Sequence, residues 1–499
     1  MNNLLNKTFL SLRIYSDVRV IRLLFLGFSS GLPILLIFST LSLWLKSAGI
    51  DKSTITLFSW AGLSYGFKFM WAPLIDKLSI PYFSKRFGHR KSWLFFSQLI
   101  LVVAIINVGF IDPSLNLILM ALSIALVGFA SATQDILIDA YRIESAPDEL
   151  QAAMSSFYII GYRIGMIISG AGSLYLVSLL GGDTGNYNVN SWQNTYLIMG
   201  IIQIIGIITC YLSPEPKLER DLINNNLEKL KILTTFLMGI FFMAIIYTNF
   251  PDLNFKEKFF IALSELCRFL ISLVGPIAIF FALIKFKFIK KSTVTETFFS
   301  PLENFFHDNK SSVIYLLLII SLYRIADIVL GVVANLFYSD LGYTLIQIAS
   351  YSKFWGLIAT ILGGLLGGVM AFKTNIYITL LTGAILAASS NLLFAVLSAF
   401  EPNSILLFSV IIADNLSGGL ASTAFVAFLS SITMKKFTAT QFALFTSIML
   451  FIPKVIGGYS GAIVDTLGYN FFFVTTALMG TPVIFLIIYL KKHFKVFKL

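Results

Sequence analysis

Eight charged side chains lie inside long runs of apolar residues, where charge is least expected. If those runs lie in a lipid bilayer, each charge at mid-depth costs about 2.5–3.5 kcal/mol. A charge kept at that cost often marks a binding site, a proton path or a gate. The residues are Lys68, Asp135, Asp139, Arg163, Arg324, Asp327, Asp414 and Lys454.

Asp135 and Asp139 offer the most specific chemistry. They are four residues apart in the segment SATQDILIDAYR, so a helix places both carboxylates on one face. Two carboxylates this close repel each other, which favours a proton on one of them. The spacing therefore predicts a proton acceptor. The alternative is that Asp139 pairs with Arg142 and only supports the structure.

Arg163 and Lys68 are the candidate cations of the same region. Arg163 is flanked by Gly161 and Gly165, and small residues predict a tight interface between helices. A guanidinium there either neutralises Asp135 or binds an anionic group in a bidentate manner, and the two interpretations are compatible. Lys68 supplies a second point charge, unless its side chain extends toward the end of its helix.

Four of the charges lie in the C-terminal part of the chain and are candidates for a second half of the same pathway. Arg324 and Asp327 are three residues apart, so they are expected to pair with each other. Asp414 and Lys454 form another candidate pair, which the sequence leaves open.

The elements that carry these charges are predicted to be membrane-spanning helices. Hydrophobic residues make up 57% of the 499 residues and charged residues 12%, whereas soluble domains carry about 25% charged residues. The fold class is therefore an all-α integral membrane protein. Runs long enough to cross the hydrocarbon core predict about fourteen spans. They are Val20–Trp44, Ile55–Ile75, Trp93–Ile111, Leu115–Ile138, Phe157–Leu180, Tyr196–Leu212, Ile232–Tyr247, Leu266–Phe288, Val313–Phe337, Phe354–Phe372, Ile376–Phe400, Ile405–Met434, Phe442–Val464 and Phe471–Leu490.

The net charge of +11 follows from basic residues in the short loops between spans. They cluster after even-numbered spans, for example at Lys85 and Arg86 after the second and at Lys290 and Lys291 after the eighth. The positive-inside rule then predicts that both termini are cytoplasmic. No soluble basic segment is long enough to bind nucleic acid, so the expected surroundings are a lipid bilayer.

Motifs for metal, cofactor or catalytic chemistry are not found in the sequence. The three histidines lie in predicted loops, and the two cysteines lie in apolar runs. No Walker loop and no GxSxG segment occurs. The sequence predicts no metal site, no cofactor and no catalytic residue, and therefore not an enzyme.

The order of the spans predicts three parts. They are a six-helix bundle over 1–212, a linker with two additional spans over 213–312, and a second six-helix bundle over 313–499. This resembles the parallel repeat of the major facilitator superfamily. A weak internal repeat agrees, because WLKSAGIDKSTI and FYSDLGYTLIQI follow the first span of each half, with Gly49 and Gly342 in register.

The loop after the second span resembles the signature cytoplasmic loop of that superfamily. Asp76 is followed by a basic segment, Lys85–Lys91, that contains Gly88 and Arg90. The resemblance implies that Asp76 and Arg90 belong to a gate.

Four N-terminal segments together resemble the AmpG muropeptide permeases. They are residues 27–33 (GFSSGLP), 67–76 (FKFMWAPLID), 131–140 (SATQDILIDA) and 161–166 (GYRIGM). The resemblance implies import of anhydro-muropeptides across the bacterial inner membrane, with protons as the coupling ion and no cofactor. The functional positions that it implies are Gly31, Lys68, Gln134, Asp135, Asp139 and Arg163.

Such a substrate carries sugars and carboxylates, and the residues suit both. Tyr65, Trp71, Tyr158 and Tyr162 are candidates to stack on sugar faces. Gly31 and Pro33 are expected to break the first span and to expose backbone groups to a cavity.

Two other functions stay open at this point. One is a transporter or exchanger of the same fold for another bulky anionic metabolite, such as an acyl-coenzyme or a nucleotide-like solute. The other is a membrane-embedded enzyme that acts on a lipid-linked intermediate, which would need polar residues clustered at one leaflet. The charges are instead spread over six spans, which favours a central cavity.

Overall fold

The computed structural model describes residues 14–50, 54, 55, 58, 62–182, 187–218, 220, 222, 223, 225–251, 264, 267, 268, 271, 272, 274–343, 347, 349–457 and 460–493. This part of the chain is helical, with one isolated parallel bridge between Leu78 and Ile223. The helices used below are α1 (Val18–Ile37), α2 (Ser39–Ser47), α3 (Leu63–Phe67), α4 (Ala72–Lys77), α5 (Phe83–Phe87), α6 (His89–Val108), α7 (Leu117–Ser145), α8 (Asp148–Ile167), α9 (Ser173–Leu179), α10 (Val189–Leu212), α11 (Asn226–Thr248), α12 (Val274–Lys285), α13 (Lys291–Val294), α14 (Ser300–Asp308), α15 (Val313–Leu322), α16 (Ile325–Asp340), α17 (Gly356–Lys373), α18 (Ile376–Leu397), α19 (Ser404–Ile432), α20 (Thr438–Gly457) and α21 (Ser460–His493).

Eleven helical segments among the described residues are long and apolar enough to cross a membrane. They coincide with eleven of the predicted spans. The other three, Ile55–Ile75, Leu266–Phe288 and Phe442–Val464, each include residues outside the described part of the chain. The predicted all-α membrane fold is confirmed, whereas the count of fourteen spans is not established.

Two sets of helices each surround an apolar core of their own. We call α1–α3 with α5–α10 the N-terminal half and α15–α21 the C-terminal half. In the N-terminal half, the ring of Trp44 is parallel to that of Trp192, with centroids 6.0 Å apart. In the C-terminal half, the ring of Phe337 meets that of Phe473 edge to face at 4.7 Å. The boundaries at 1–212, 213–312 and 313–499 stay a prediction.

Contacts along the chain divide it into two compact units. The first comprises Met1–Ala72, Ile80–Leu218 and Asn309–Leu499, and the second comprises Pro73–Ser79 and Glu219–Asp308. Within the second unit, α11 packs closely on α12, because a Cβ added to Gly239 would lie 3.3 Å from the Cβ of Pro276. An ion pair of 2.8 Å joins Lys290 Nζ to Glu228 Oε1 in the same unit.

Helices α1 and α8 pack with their backbones nearly in contact. A Cβ added to Gly161 would lie 1.9 Å from the carbonyl oxygen of Leu24. A Cβ added to Gly31 would lie 2.0 Å from the carbonyl oxygen of Tyr162. Only glycine fits at these distances, so the predicted tight interface around Arg163 is confirmed.

Helix α1 is continuous through Pro33, so the predicted break at Gly31 and Pro33 is wrong. The helix ends just before Phe38, which has φ −113° and ψ −92°. A proline removes the N–H that would bond to the carbonyl four residues earlier, here that of Ser29. Gln203 Nε2 of α10 donates to this carbonyl at 3.0 Å. Because a side chain replaces the missing donor, the helix need not open.

The internal repeat is visible in the backbone. Gly49 has φ +79° and Gly342 has φ +89°, each after the first span of its half. Residues with a side chain rarely adopt this left-handed region. The two glycines therefore make equivalent turns, as the sequence repeat predicts.

We expect Gly161→Ala to destabilise the protein by about 1–3 kcal/mol or more, because the added methyl group forces α1 and α8 apart. The measurement is the apparent melting temperature of the purified protein in detergent. Gly418→Ala is the matched control, since its Cβ would meet nothing within 4 Å and alanine favours a helix. Equal melting temperatures for the two variants would contradict the prediction.

Candidate functional site

A carboxyl group lies at the junction of three helices in the N-terminal half. Asp135 of α7 is 8% exposed, and its Oδ1 accepts a hydrogen bond of 2.5 Å from Ser30 Oγ of α1. The Ser30 hydroxyl is also 2.9 Å from the Tyr158 hydroxyl of α8. Hydroxyl groups can donate or accept, so they can accompany either protonation state of the carboxyl group.

Lys68 is a buried cation of the same region. It lies in a 3₁₀ turn between α3 and α4 and is 7% exposed, so its side chain does not extend into solvent. Its charge acts on both Asp135 and Asp139. Both roles considered for Arg163 stay predictions.

Asp139 forms an ion pair with Arg142. This pair is the alternative to a proton-carrying role for Asp139. Its Oδ1 is 3.3 Å from Arg142 NH2, and the Arg142 side chain is fully buried. Arg142 NH1 also donates to Ser155 Oγ at 3.1 Å and to Ser430 Oγ at 2.6 Å. Because Ser430 belongs to α19, this arginine joins the N-terminal half to the C-terminal half.

Aromatic residues surround the carboxyl group. Tyr65, Tyr158 and Tyr162 all lie within electrostatic range of Asp135. The rings of Tyr158 and Tyr162 have centroids 6.1 Å apart and are tilted by 45°. The Trp71 indole donates to a threonine hydroxyl of α7 at 3.1 Å. Aromatic faces, hydroxyls and charges therefore occupy one region, and stacking on sugars stays a prediction.

The C-terminal half contributes a second group of charges. Arg324 Nε is 2.9 Å from Asp327 Oδ2, so the predicted pair is present. Arg324 NH1 donates to Ser422 Oγ at 2.8 Å. Asp414 accepts a hydrogen bond of 3.1 Å from Ser390 Oγ, and it experiences the charges of Asp327 and Arg324.

One predicted partner cannot be placed in this group. The side chain of Lys454 lies outside the described residues. Its pairing with Asp414 therefore stays a prediction.

Arg163 is partly exposed and differs from the buried cations Lys68, Arg90 and Arg142. Its NH1 contacts the Met166 sulfur at 3.9 Å, and no carboxylate within the described residues lies at ion-pair distance. Its guanidinium does experience the charge of Arg324 from the other half. Its role in binding an anionic group stays a prediction.

Gln134 and Gly31 lie at helix contacts. Gln134 Oε1 is 3.2 Å from Gln203 Nε2, within a fully buried cluster that also contains Ser29 and Gln98. This cluster joins α1, α6, α7 and α10. Gly31 lies in the α1–α8 interface. The geometry assigns both residues to positioning of the helices that carry Asp135 and Ser30, and their place on a pathway stays a prediction.

Arg90 connects the two halves at one end of the bundle, which we call the gate end and define by the start of α6 and the end of α7. Arg90 NH2 is 2.6 Å from Glu144 Oε1 and donates to Thr438 Oγ1 at 2.9 Å. Thr438 begins α20 of the C-terminal half and also donates to Glu144. The Arg90 and Glu144 side chains are 1% and 0% exposed. A buried ion pair at this contact suits the gating role predicted for Arg90.

Asp76, the other predicted gate residue, lies in α4 within the second compact unit. It is 5% exposed there. Its gating role stays a prediction.

Tyr15 adds a further contact at the gate end. Its hydroxyl donates to the Leu365 carbonyl oxygen of α17 at 2.8 Å, and its ring stacks on Phe157 of α8 at 5.0 Å. A Cβ added to Gly368 would lie 2.3 Å from the Tyr15 oxygen. Burial raises the pKa of Tyr15 to about 12, so its hydroxyl remains a donor at physiological pH.

Sequence reasoning missed most partners at the gate end. Glu144, Ser430 and Thr438 are ordinary polar residues near helix ends, and their role appears only when two distant segments meet. Tyr15 precedes the first span and carries no motif. Gln203 had a detectable signal, since a buried glutamine in an apolar span needs a polar partner.

Two helical halves, a charged and aromatic central region and a set of contacts that close one end are together the architecture of a membrane transporter. The Major Facilitator Superfamily pattern matches residues 23–458. The chain belongs to this superfamily, and it is a multi-pass transporter.

Two proteins are similar to this chain over nearly its whole length. The chain is 32% identical over 485 residues to the transporter AmpG 4 of Rickettsia felis, which covers 97% of this chain and 99% of that protein. It is 29% identical over 478 residues to the anhydromuropeptide permease of Escherichia coli K12, which covers 96% of this chain and 80% of that protein.

Solved structures agree on the fold. The outward conformation of the major facilitator transporter FucP aligns with a TM-score of 0.59 at 12% identity, covering 94% of this chain and 97% of that chain. The proton:xylose symporter XylE aligns with a TM-score of 0.57 at 14% identity, covering 97% and 95%. At these identities the likeness concerns the fold alone.

We expect Glu144→Gln to open the gate end, because it removes the carboxylate charge from the buried ion pair with Arg90 and weakens the acceptor of the Thr438 hydrogen bond. Loss of one partner of a buried ion pair costs about 3–5 kcal/mol. We expect this loss to destabilise the closed conformation. The measurement is the rate of disulfide formation between Ser156→Cys and Gly364→Cys, with both native cysteines replaced by serine. A Cβ on Gly364 would lie 3.7 Å from Ser156 Oγ, so the pair reports closure.

The matched control for that experiment is Asp17→Asn, which removes an exposed ion pair to Arg19 within one half. It should leave the cross-linking rate unchanged. A Glu144→Gln variant that cross-links as fast as the parent would show that the Arg90 pair does not hold the gate end closed.

Tyr15→Phe should weaken closure more mildly, because it removes one hydrogen bond and keeps the stacked ring. A hydrogen bond of this kind contributes about 0.5–1.5 kcal/mol, so cross-linking between positions 156 and 364 should slow by less than in Glu144→Gln. Equal cross-linking rates in Tyr15→Phe and the parent would show that Tyr15 does not contribute to closure of the gate end.

Proposed function

We propose that this transporter imports anhydro-muropeptides across a bacterial inner membrane and is driven by the proton gradient. The observation that carries the proposal is the buried Asp135 carboxyl group, which accepts a hydrogen bond from the Ser30 hydroxyl beside Tyr158. The buried Lys68 supplies a positive charge that acts on it. A relative that covers nearly the whole chain is named an anhydromuropeptide permease, which supports the substrate class.

The region suits the chemistry of such a substrate. A muropeptide presents sugar faces, amides, hydroxyls and carboxylates. Tyr65, Tyr158 and Tyr162 offer aromatic faces and hydroxyls around Asp135. Lys68 and Arg163 offer cationic donors for the carboxylates. The substrate is thus expected to lie between α3, α7 and α8.

Proton coupling follows from the Asp135–Lys68 attraction. When Asp135 is charged, its attraction holds the Lys68 ammonium group. A proton on the carboxyl group removes that attraction and leaves Lys68 available to an anionic substrate. Release of the proton restores the attraction and displaces the substrate. Binding of a proton and binding of substrate would then favour each other, as symport requires.

The proposed orientation places both termini in the cytoplasm, because basic residues cluster in the loops on that side. The gate end then faces the cytoplasm. In this arrangement the contacts of Arg90, Arg142 and Tyr15 separate the Asp135 region from the cytoplasm. Substrate would enter from the opposite side, and opening of the gate end would release it.

The test is uptake of a labelled disaccharide anhydro-muropeptide by the purified protein in liposomes, with and without an inward proton gradient. We expect the gradient to raise the initial rate of uptake by about ten-fold or more. Each factor of ten corresponds to about 1.4 kcal/mol. Asp135→Asn should abolish this stimulation, because an amide cannot take up the proton. Asp308→Asn, on an exposed side chain of the second unit, is the control and should behave as the parent.

Two outcomes would contradict the proposal. Uptake that does not depend on the proton gradient, but is faster when unlabelled solute is loaded inside the liposomes, would indicate an exchanger. No uptake by folded protein would exclude muropeptides and redirect the search to another bulky anionic metabolite.

A further inference from the structure

The start of α11 and the end of α12 lie side by side at one end of the second compact unit, which we call the basic end. The two helices are antiparallel. A Cβ added to Gly239 would lie 3.3 Å from the Cβ of Pro276, and one added to Gly275 would lie 3.1 Å from the nitrogen of Met243. Helix α11 has 23 residues, which at about 1.5 Å each are enough to cross the hydrocarbon core of a bilayer. The basic end therefore lies at the level of the lipid headgroups.

Lysines dominate the charge of the basic end. Residues 225–231 and 285–299 contain six lysines and two glutamates. Three of the lysines are held within the unit by the Ser79 hydroxyl at 2.6 Å, the Phe288 ring at 5.4 Å and the Glu228 carboxylate at 2.8 Å. They are Lys229, Lys231 and Lys290, in that order. The other three are exposed and make no hydrogen bond or ion pair within the described residues. They are Lys285, Lys287 and Lys291.

Lys287 has a backbone conformation that favours glycine, with φ +57°. Its N–H donates to the Ile284 carbonyl at 3.0 Å, and the N–H of Phe288 donates to the Leu283 carbonyl at 3.0 Å. These two bonds form the Schellman motif that ends many helices, in which the left-handed residue is usually glycine. A positive charge suits the end of a helix, but Lys285 already supplies one in the last turn of α12. A strained position that keeps a lysine points to a use for the side chain.

Exposed aromatic rings accompany the free lysines. Phe286 is 79% exposed, and Phe281 of α12 is 67% exposed. The chain after the turn returns to the two helices, because the centroid of the Phe298 ring lies 4.9 Å from that of Phe280 and 6.5 Å from that of Phe236. The basic segment is thus held on both sides by apolar helices. Aromatic rings beside lysines are typical of segments that lie in the interface of a bilayer.

We propose that the basic end binds anionic phospholipids of the surrounding bilayer. Lys285, Lys287 and Lys291 attract the lipid phosphate groups, while Phe286 and Phe281 contact the acyl chains. A zwitterionic lipid offers the same acyl chains without net negative charge, so the three lysines make this surface selective for the anionic class. The inference goes beyond the proposed function and does not depend on which solute the protein transports.

The experiment measures which lipid collects beside the turn. The full-length protein carries Ser292→Cys, an exposed position, labelled with a bimane fluorophore, and both native cysteines are replaced by serine. It is reconstituted into phosphatidylcholine vesicles. Quencher-labelled phosphatidylglycerol, or quencher-labelled phosphatidylcholine with the same acyl chains, is added at equal mole fractions. We expect the quenching to show that phosphatidylglycerol associates about ten-fold or more tightly than phosphatidylcholine.

Lys287→Gly separates the charge of this residue from the shape of the turn. The variant should lower the preference for phosphatidylglycerol by about five-fold, as expected for one lysine near an anionic surface. Its apparent melting temperature in detergent should equal or exceed that of the parent, because glycine relieves the strained backbone. Lys287→Arg keeps the charge and should keep the preference.

A triple variant and a control complete the comparison. Lys287→Gly combined with Lys285→Gln and Lys291→Gln should abolish the preference for phosphatidylglycerol. Lys46→Gln changes an exposed lysine at the end of α2 and should leave the preference unchanged.

Three outcomes would contradict the inference. Equal quenching by the two lipids in the parent would overturn the lipid site. A preference that survives in the triple variant would overturn its assignment to the three lysines. A lower melting temperature for Lys287→Gly than for the parent would show that Lys287 supports the helix end itself, which overturns its assignment to lipid. Uptake of muropeptide is measured separately, so these outcomes leave the proposed function standing.

Discussion

A charge placed inside an apolar helix is costly unless a partner stabilises it, and this constraint organises the contacts between the two halves. Arg142 and Arg90 satisfy it across the boundary between the two halves, with Ser430 and Thr438 as acceptors. The carboxylates of Glu144 and Asp139 neutralise these arginines within the N-terminal half, and the remaining guanidinium donors reach the other half. The buried arginines therefore also hold one end of the transporter closed. Stability of the closed state and access to the central region depend on the same contacts.

The same constraint applies to backbone groups. Pro33 leaves the Ser29 carbonyl without its helical donor, and Gln203 replaces it. Gln203 also reaches Gln134, so the repair of α1 ties α1, α7 and α10 together. An apparent defect in one helix thus fixes the position of the helix that carries Asp135. Buried polar clusters have this effect because each unsatisfied member would be costly.

The sequence predicts the helices and the charges well, since both depend on local properties. Apolar runs locate the spans, and spacing of three residues locates the Arg324–Asp327 pair. Prediction from the sequence fails where a contact joins residues that are far apart in the chain. Nothing local indicates that Ser30 donates to Asp135, or that Glu144 meets Thr438. The break expected at Pro33 was wrong because a glutamine about 170 residues later satisfies the freed carbonyl.

The glycine contact between α1 and α8 has a mechanical consequence. With no side chains between the two backbones, these helices cannot slide past each other without collision. Ser30, Tyr158 and Arg163 are therefore expected to move as one rigid body throughout the cycle. The Ser30 hydroxyl, which donates to Asp135, is then expected to keep a fixed separation from the Arg163 guanidinium. The distance that is expected to vary during transport is the one between this pair of helices and the opposite half.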